Sequence, residues 1–135
     1  NMIKGFTCGG FDIFHPGHVL MLEECKKKCN LLTVALNTGT EYDYNINPGK
    51  RKPIYTIEER ILMLSSCKYV DEVLIYRNEE ELISILRKNK YHIRFLGDDY
   101  IGKIITGPEL TSEISFIDRS HGHSTSALIK KIKFA

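Results

Sequence analysis

The stretch Cys8-Gly9-Gly10-Phe11-Asp12-Ile13-Phe14-His15-Pro16-Gly17-His18 decides the fold of this chain. The apolar run before it, residues 3–7, predicts a buried strand, and the pattern from residue 19 onward predicts an amphipathic helix. Pro16 suits the first turn of that helix, because an N–H at this position would have no partner within the helix. The stretch is therefore predicted to be a strand-to-helix turn.

This turn has the features of a phosphate-binding site. Gly9 and Gly10 allow the backbone to approach a ligand closely. His15 and His18 are three residues apart, so they share one face of the first helical turn beside its free N–H groups. Free amides, the positive end of the helix dipole and two imidazoles all favour phosphate oxygens. The alternatives are a zinc site with Asp12 as third ligand, and two purely structural histidines.

Composition and charge are those of an ordinary globular domain. Of the 135 residues, 42% are hydrophobic and 27% charged, and the net charge of +2 argues against a general nucleic-acid binder. No apolar run approaches about 18 residues and no N-terminal signal segment is visible, so we expect a cytoplasmic protein without a membrane partner. The four cysteines form no C-x-x-C pair and are expected to be reduced thiols.

Strand and helix patterns alternate along the rest of the chain. Apolar runs predict strands at residues 31–36, 72–76, 93–96 and 114–117, and amphipathic or capped segments predict helices at 56–68, 79–88 and 125–133. This alternation implies right-handed crossovers and a parallel sheet that is covered on both faces. We therefore predict an α/β fold, with one domain over residues 1–135 and a doubly wound parallel five-stranded sheet.

Four polar stretches follow the predicted strands, at residues 9–18, 37–52, 97–103 and 119–126. Ligands bind at the carboxyl ends of the strands in such sheets, so these stretches are expected to converge on one edge. The second stretch contains Lys50, Arg51 and Lys52. A basic loop could neutralise a leaving pyrophosphate, whereas the simpler interpretation is a solvated charge run.

The last two stretches carry acidic and hydroxyl groups. Asp98 or Asp99 could hold Mg²⁺ or a ribose hydroxyl, or could accept bonds from local amides. Tyr100 could flank a base or simply pack. Arg119 and the hydroxyls before the last helix could form a second phosphate cradle, although Ser124 is also a good helix N-cap.

His121 and His123 are expected to be exposed loop residues without a role. The same loop connects the fifth predicted strand to the last helix.

Taken together, four stretches resemble the glycerol-3-phosphate cytidylyltransferase subgroup of the H-x-G-H nucleotidyltransferase superfamily. They are Gly10-Phe11-Asp12 with His15-Pro16-Gly17-His18, Tyr69-Val70-Asp71-Glu72-Val73, Gly97-Asp98-Asp99-Tyr100-Ile101-Gly102-Lys103, and Arg119-Ser120 through Ser124-Thr125. The resemblance implies a Rossmann-like nucleotidyltransferase fold, a divalent cation such as Mg²⁺, and a homodimer.

The residue patterns and the resemblance together assign roles to individual residues, and the resemblance implies those of His15, His18, Arg119, Ser124, Thr125 and the basic loop. Catalytic roles fall to His15, His18, Lys52 and Arg119. Nucleotide binding is assigned to Gly9, Gly10, Phe11, Asp12, Lys50, Arg51, Gly97, Asp98, Asp99, Tyr100, Ser120, Ser124 and Thr125. Asn37 and Arg60 are assigned to the acceptor, with an ion pair to Glu59 or Asp71 as the alternative for Arg60. No metal ligand is assigned.

Three departures from the subgroup pattern bear on the substrate. Gly10 stands where a hydroxyl residue is common, Tyr100 stands where Trp is common, and the loop over residues 38–53 is longer than usual. The first two weaken the choice of acceptor more than the choice of reaction.

The residues predict transfer from a nucleoside triphosphate to a small phosphorylated alcohol by direct in-line attack. The resemblance implies that CMP passes from CTP to glycerol 3-phosphate, giving CDP-glycerol and pyrophosphate. No nucleophile–base pair lies beside the motif histidines, so no covalent intermediate is expected. One alternative is the same reaction type with another substrate: an adenylyltransferase, or CTP with a heptose phosphate, phosphonate or phosphocholine-like acceptor. A nucleotide-binding regulator without activity is the non-enzymatic alternative.

Overall fold

The computed structural model describes residues 2–38 and 52–135, which form an α/β domain. Its elements in chain order are β1 (Lys4–Gly9), α1 (Pro16–Lys27), β2 (Leu31–Asn37), α2 (Ile57–Ser65), β3 (Glu72–Tyr76), α3 (Glu79–Asn89), β4 (Ile93–Gly97), β5 (Glu113–Ile117) and α4 (Thr125–Lys133). Short 3₁₀ turns cover Asp98–Tyr100 and Pro108–Leu110 between β4 and β5. In this part of the chain no helix has the length and apolarity needed to cross a bilayer.

The five strands form one parallel sheet in the order β3-β2-β1-β4-β5. From β1 the chain builds outward to β3, then crosses back through α3 and continues with β4 and β5 on the other side. The strand order therefore reverses between β1 and β4, where the carboxyl ends leave a crevice suited to a ligand. This topology confirms the predicted doubly wound sheet.

Two apolar clusters cover the two faces of the sheet. On one face, Leu22 and Cys25 of α1 and Leu64 of α2 pack against β2, β4 and β5. On the other face, Leu82 and Leu86 of α3 pack with side chains of β1, β2 and β3. The alternation of side chains along the strands supplies both clusters from the same short runs, which explains why these runs are almost continuously apolar.

Helix α2 begins as the sequence predicts and ends earlier. Thr56 Oγ1 accepts from the backbone N–H of Glu59 (3.1 Å), and the Glu59 carboxylate accepts from the N–H of Thr56 (2.9 Å), which is a capping box. The helix ends at Ser65 rather than near residue 68. The hydroxyl of Ser66 donates to the carbonyl of Leu62 (2.8 Å) and competes there with the backbone bonds of a further turn.

Asp71, in one of the four stretches that carry the resemblance, has a structural role. Its Oδ2 accepts from the backbone N–H of Leu32 (2.8 Å) and from Nζ of Lys26. These bonds tie the residue before β3 to the start of β2 and to the end of α1. The alternative that paired this carboxylate with Arg60 gains no support from these contacts.

Two leucines of α2 test the packing of this face. Leu64 is fully buried, whereas Leu62 is 67% exposed. We predict that Leu64→Ala lowers the free energy of unfolding by about 2–5 kcal/mol, because it leaves a cavity in the core. Leu62→Ala, its matched control with the same change in helix propensity, should stay within about 0.5 kcal/mol of the parent in urea unfolding. Equal losses would contradict this assignment of the core.

Candidate active site

A cavity of about 430 Å³ opens at the carboxyl ends of β1 and β4, at the reversal of strand order. Three of the four predicted stretches contribute to its wall, with Gly9, Gly10, Phe11, His15, Gly17, His18, Gly97, Tyr100 and Arg119. In the remaining stretch, Lys52 is exposed and does not line the cavity. Lys50 and Arg51 lie outside the described residues.

Two histidines form the start of α1. His15 is the N-cap residue, and its Nδ1 accepts from the backbone N–H of Gly17 (3.0 Å). His18 returns the bond, since its Nδ1 accepts from the backbone N–H of His15 (3.1 Å). The pair is a capping box built from imidazoles, with ring centroids 3.9 Å apart. Two amides that the helix leaves unpaired are therefore satisfied by the motif itself.

These bonds fix the tautomer of both rings. A backbone N–H donates to each Nδ1, so the proton of the neutral imidazole must reside on Nε2. His15 and His18 therefore each present one N–H donor from Nε2, and both line the cavity. A pair of fixed donors at a helix N-terminus is suited to phosphate oxygens.

Both imidazoles are neutral at pH 7. Burial is the main cause that lowers the pKa of His18 to about 3; the neighbouring His15 ring and the charge of Arg119 lower this pKa further, and Asp12 opposes them. Burial is also the main cause that lowers the pKa of His15, with smaller effects from His123, Arg119 and His121. The rings are thus hydrogen-bond donors without net charge.

Aromatic packing orients the His18 ring. Phe14 stacks on it with a centroid distance of 5.5 Å and an interplanar angle of 2°, and Phe11 lies against it at 5.2 Å. Together with the bond from the His15 amide, these contacts hold the imidazole plane. Phe11 therefore supports the His18 ring and also lines the cavity.

Gly17 is required by the crowding of histidines around it. A Cβ at this position would lie 2.7 Å from Cε1 of His15 and 2.7 Å from Cε1 of His121.

The expectation of an exposed loop residue is wrong for His121, which is half-buried beside this turn and accepts at Nδ1 from the backbone N–H of His123 (3.0 Å). His123 is exposed, as expected. No local pattern indicates that the loop after β5 reaches α1.

Asp12 acts on the backbone of a neighbouring segment. Its carboxylate is buried and accepts from the amides of Ile54 (2.7 Å) and Tyr55 (3.0 Å). It does not line the cavity, so the contacts found here anchor the segment before α2 and do not point to a nucleotide contact. Within residues 2–38 and 52–135 no group of three potential metal ligands occurs, and the zinc alternative gains no support.

Arg60 supports the glycine turn from α2. Its side chain is 4% exposed, and Nη1 donates to the carbonyls of Gly10 and Asn37, both at 3.1 Å. Neither Arg60 nor Asn37 lines the cavity. These contacts join the end of β2, the turn and α2, which suits a positioning role better than the predicted contact with the acceptor.

The two aspartates after β4 hold Arg119 at the cavity. Asp98 Oδ2 accepts from the backbone N–H of Arg119 (3.3 Å), and Oδ1 of Asp99 lies 3.4 Å from its Nη1. Gly97 allows this approach, because a Cβ there would lie 2.7 Å from Cδ of Arg119 and 2.4 Å from Oδ1 of Asp99. Tyr100 lines the cavity and is 43% exposed. The aspartates themselves do not line it.

The hydroxyls at the start of α4 and in the loop before it bond within the protein. Ser124 is the N-cap, and its Oγ accepts from the N–H of Ala127 (3.0 Å). Thr125 Oγ1 lies 3.5 Å from the carbonyl of Ile13, and Ser120 bonds through N and Oγ to Asp118. The structure places all three hydroxyl residues outside the cavity wall, next to the loop that carries Arg119.

Sequence reasoning missed the part of the cavity that faces α3. Its wall includes Thr7, Cys8, Tyr76, Glu79, Leu82, Arg94, Ile104, Ile105 and Thr106. Most of these occupy ordinary strand and helix positions that no motif marks. The one available signal was Arg94, a charged residue inside the apolar run of β4.

The low pKa of His18 predicts a loss of stability in acid. Between about pH 6.5 and pH 3 the unfolded chain binds a proton at this position that the folded chain does not, so stability falls as the pH falls through this range. NMR titration should show a His18 ring that stays neutral at about pH 5, and His18→Gln should lose less stability than the parent between about pH 7 and pH 4.5. A His18 ring that titrates near its ordinary pKa would contradict the assignment.

Comparisons with known proteins identify the family of the chain. The family model described as cytidylyltransferase-like matches residues 6–129. The bifunctional protein HldE of Helicobacter pylori is 37% identical over 130 residues, which cover 95% of this chain and 27% of that protein. HldE of Wolinella succinogenes is also 37% identical over 130 residues, with 95% and 26% coverage. The chain thus spans about a quarter of the length of the curated relatives it matches.

A solved structure shares the fold. The lipopolysaccharide core biosynthesis protein from Thermoplasma volcanium superposes with a TM-score of 0.68 at 28% identity, covering 87% of this chain and 97% of that chain. The match of the family model extends from β1 to α4 and so includes the imidazole pair and Arg119. The chain belongs to the cytidylyltransferase-like family of nucleotidyltransferases.

Proposed function

We propose that the chain transfers a nucleoside monophosphate from CTP or ATP to a phosphorylated sugar and releases pyrophosphate. The observation that carries this proposal is the imidazole pair, in which His15 and His18 are neutral, accept backbone amides at Nδ1 and both line one cavity. Fixed donors stabilise charge that develops on phosphate oxygens, and they require no reorganisation during the reaction.

The proposed chemistry is a direct in-line displacement. An oxygen of the acceptor phosphate attacks the α-phosphorus of the triphosphate, the bond from that phosphorus to the bridging oxygen breaks, and pyrophosphate leaves with the electron pair. The acceptor phosphate is already ionised at neutral pH, so the reaction needs no strong general base. Positioning and charge stabilisation then supply the rate enhancement.

We propose that Mg²⁺ and basic side chains neutralise the negative charge of the leaving pyrophosphate. Mg²⁺ usually binds through one or two carboxylates together with substrate phosphates, so it does not need a cluster of protein ligands. Asp98 and Asp99 are the candidate carboxylates near the cavity, where they also hold Arg119. Lys52 and its two basic neighbours are proposed to neutralise the same charge. A homodimer is a separate proposal, which the resemblance implies.

A sugar phosphate is favoured over glycerol 3-phosphate by the comparisons. The Thermoplasma protein is named for lipopolysaccharide core biosynthesis, and such polymers are built from nucleotide-activated sugars. Among the acceptors weighed from the sequence, a heptose phosphate fits this best. Glycerol 3-phosphate with CTP is the second candidate, which the stretch Gly97-Asp98-Asp99-Tyr100-Ile101-Gly102-Lys103 favours through its resemblance to that subgroup.

The substrate is testable by pyrophosphate release with Mg²⁺. CTP and ATP would each be crossed with a heptose 1-phosphate, other sugar phosphates and glycerol 3-phosphate. We predict release with one nucleotide and a sugar phosphate, at least about tenfold faster than with glycerol 3-phosphate at equal concentration, which is the discrimination that one lost contact gives. Release with CTP and glycerol 3-phosphate alone would establish the second candidate. Binding of nucleotide without release for any pair would contradict the enzymatic proposal.

The imidazoles are testable by substitution. We predict that His15→Ala and His18→Ala each lower kcat on the order of 10²–10³-fold, the loss expected for one transition-state donor. Both changes also remove part of a helix cap, which by itself costs about 1 kcal/mol of stability. Thr56→Ala is the matched control, because it removes the cap of α2 at an exposed position outside the cavity. Losses below tenfold for both histidine variants would remove the proposed role.

A further inference from the structure

The cavity continues beyond the imidazole pair into a part that we name the α3-side lobe. This lobe is lined by Tyr76 at the end of β3, Glu79 and Leu82 of α3, Arg94 of β4, and residues 104–106. Its wall combines apolar side chains with one acidic and one basic group. The assignments made above for the nucleotide and for catalysis leave it without an occupant.

Strand alternation directs Arg94 toward this lobe. Ile93 and Phe95 on either side of it belong to the cluster under α1 and α2, so Arg94 faces the opposite side of the sheet. Its register partner on β1 is Phe6, which belongs to the cluster under α3. A permanently charged residue therefore occupies a core position at the reversal of strand order, where the cavity opens.

The guanidinium of Arg94 has a buried donor without a partner in the described part of the chain. The residue is 3% exposed, and its Nη1 donates to the carbonyl of Thr106. Its Nε–H is buried without a hydrogen-bond partner among residues 2–38 and 52–135, where it forms no ion pair either. Glu79 lines the same lobe but accepts from the hydroxyl of Thr106. Because burying an unpaired charge is costly, a buried arginine with this environment calls for an anion beyond the described residues, and the phosphate of a substrate can supply it.

Arg119, the other arginine on the cavity wall, differs from Arg94 in its exposure and in its acidic partners. It is more exposed than Arg94 and lies next to two carboxylates, those of Asp98 and Asp99. Its charge is matched by the protein before any substrate arrives. Arg94 is therefore the arginine of the cavity wall that forms no ion pair within the described residues.

We infer that Arg94 binds the phosphate group of the acceptor and thereby selects phosphorylated acceptors. The inference rests on the proposed function, since it names the residue that receives the second substrate of that reaction. A guanidinium matches phosphate oxygens with two parallel N–H···O bonds, and a buried one binds more strongly than an exposed one. Binding at the α3-side lobe leaves the Nε2 donors of His15 and His18 for the triphosphate.

Kinetics of two Arg94 variants test this inference. Arg94→Met should raise the KM for the acceptor by about 10–100-fold, the loss of a hydrogen bond to a charged group, while the KM for the nucleotide changes less than about threefold. Arg94→Lys keeps the charge but lacks the planar guanidinium, so it should raise the KM for the acceptor by a smaller factor. This variant tests the inference if the Met variant does not fold. Arg87→Met, at an exposed position of α3, is the matched control and should change neither constant.

A purely structural role for Arg94 gives a different result. If the residue only anchors the carbonyl of Thr106, both variants should lower the melting temperature and raise the two KM values together. That pattern, or an acceptor KM that stays within about twofold in both variants, would overturn the inference.

A binding experiment separates this inference from the proposed function. The protein is first saturated with a non-hydrolysable triphosphate analogue and then titrated calorimetrically with inorganic phosphate. We expect binding to the parent and to Arg87→Met, and at least about tenfold weaker binding to Arg94→Met. Arg94-dependent phosphate binding without turnover of any acceptor would retain the inference and reject the proposed function. Equal phosphate binding by all variants, alongside normal turnover, would reject the inference about Arg94 and retain the proposed function.

Discussion

The reciprocal bonds between His15 and His18 are the constraint on which the site depends. By accepting backbone amides at Nδ1, the two imidazoles begin helix α1 and at the same time keep Nε2–H as the donor of each ring at the cavity wall. Folding of the helix and preparation of the donors are therefore one event. Burial keeps both rings neutral, so they donate to phosphate oxygens without bringing a charge that the interior would have to accommodate.

Residues outside the cavity hold this turn in place. Asp12 accepts two amides from the segment before α2, and Arg60 donates to carbonyls of the turn and of the end of β2. On the other side, Asp98 and Asp99 hold Arg119 where Gly97 leaves room. Charged groups with partners in the protein thus surround the site, which suits preorganised catalysis, because the donors are positioned before the substrates bind.

The fold could be predicted from the sequence, since continuous apolar runs and helix caps such as Thr56 and Ser124 are local signals that the structure follows. The imidazole turn was predictable for the same reason. The places of Arg94 and His121 in the site could not be predicted, because each depends on which segment the topology brings opposite that residue. Asp12 shows the remaining difficulty, since a carboxylate in a motif can serve a backbone amide as readily as a substrate, and only the tertiary contacts distinguish the two.

The most direct test of this account is the ¹⁵N NMR assignment of the His15 and His18 rings during titration with a non-hydrolysable triphosphate analogue. The account predicts that both rings are neutral at pH 7 and carry the proton on Nε2, and that the Nε2–H signals shift when the triphosphate binds. A proton on Nδ1 of either ring, or Nε2–H signals that the triphosphate leaves unchanged, would contradict it.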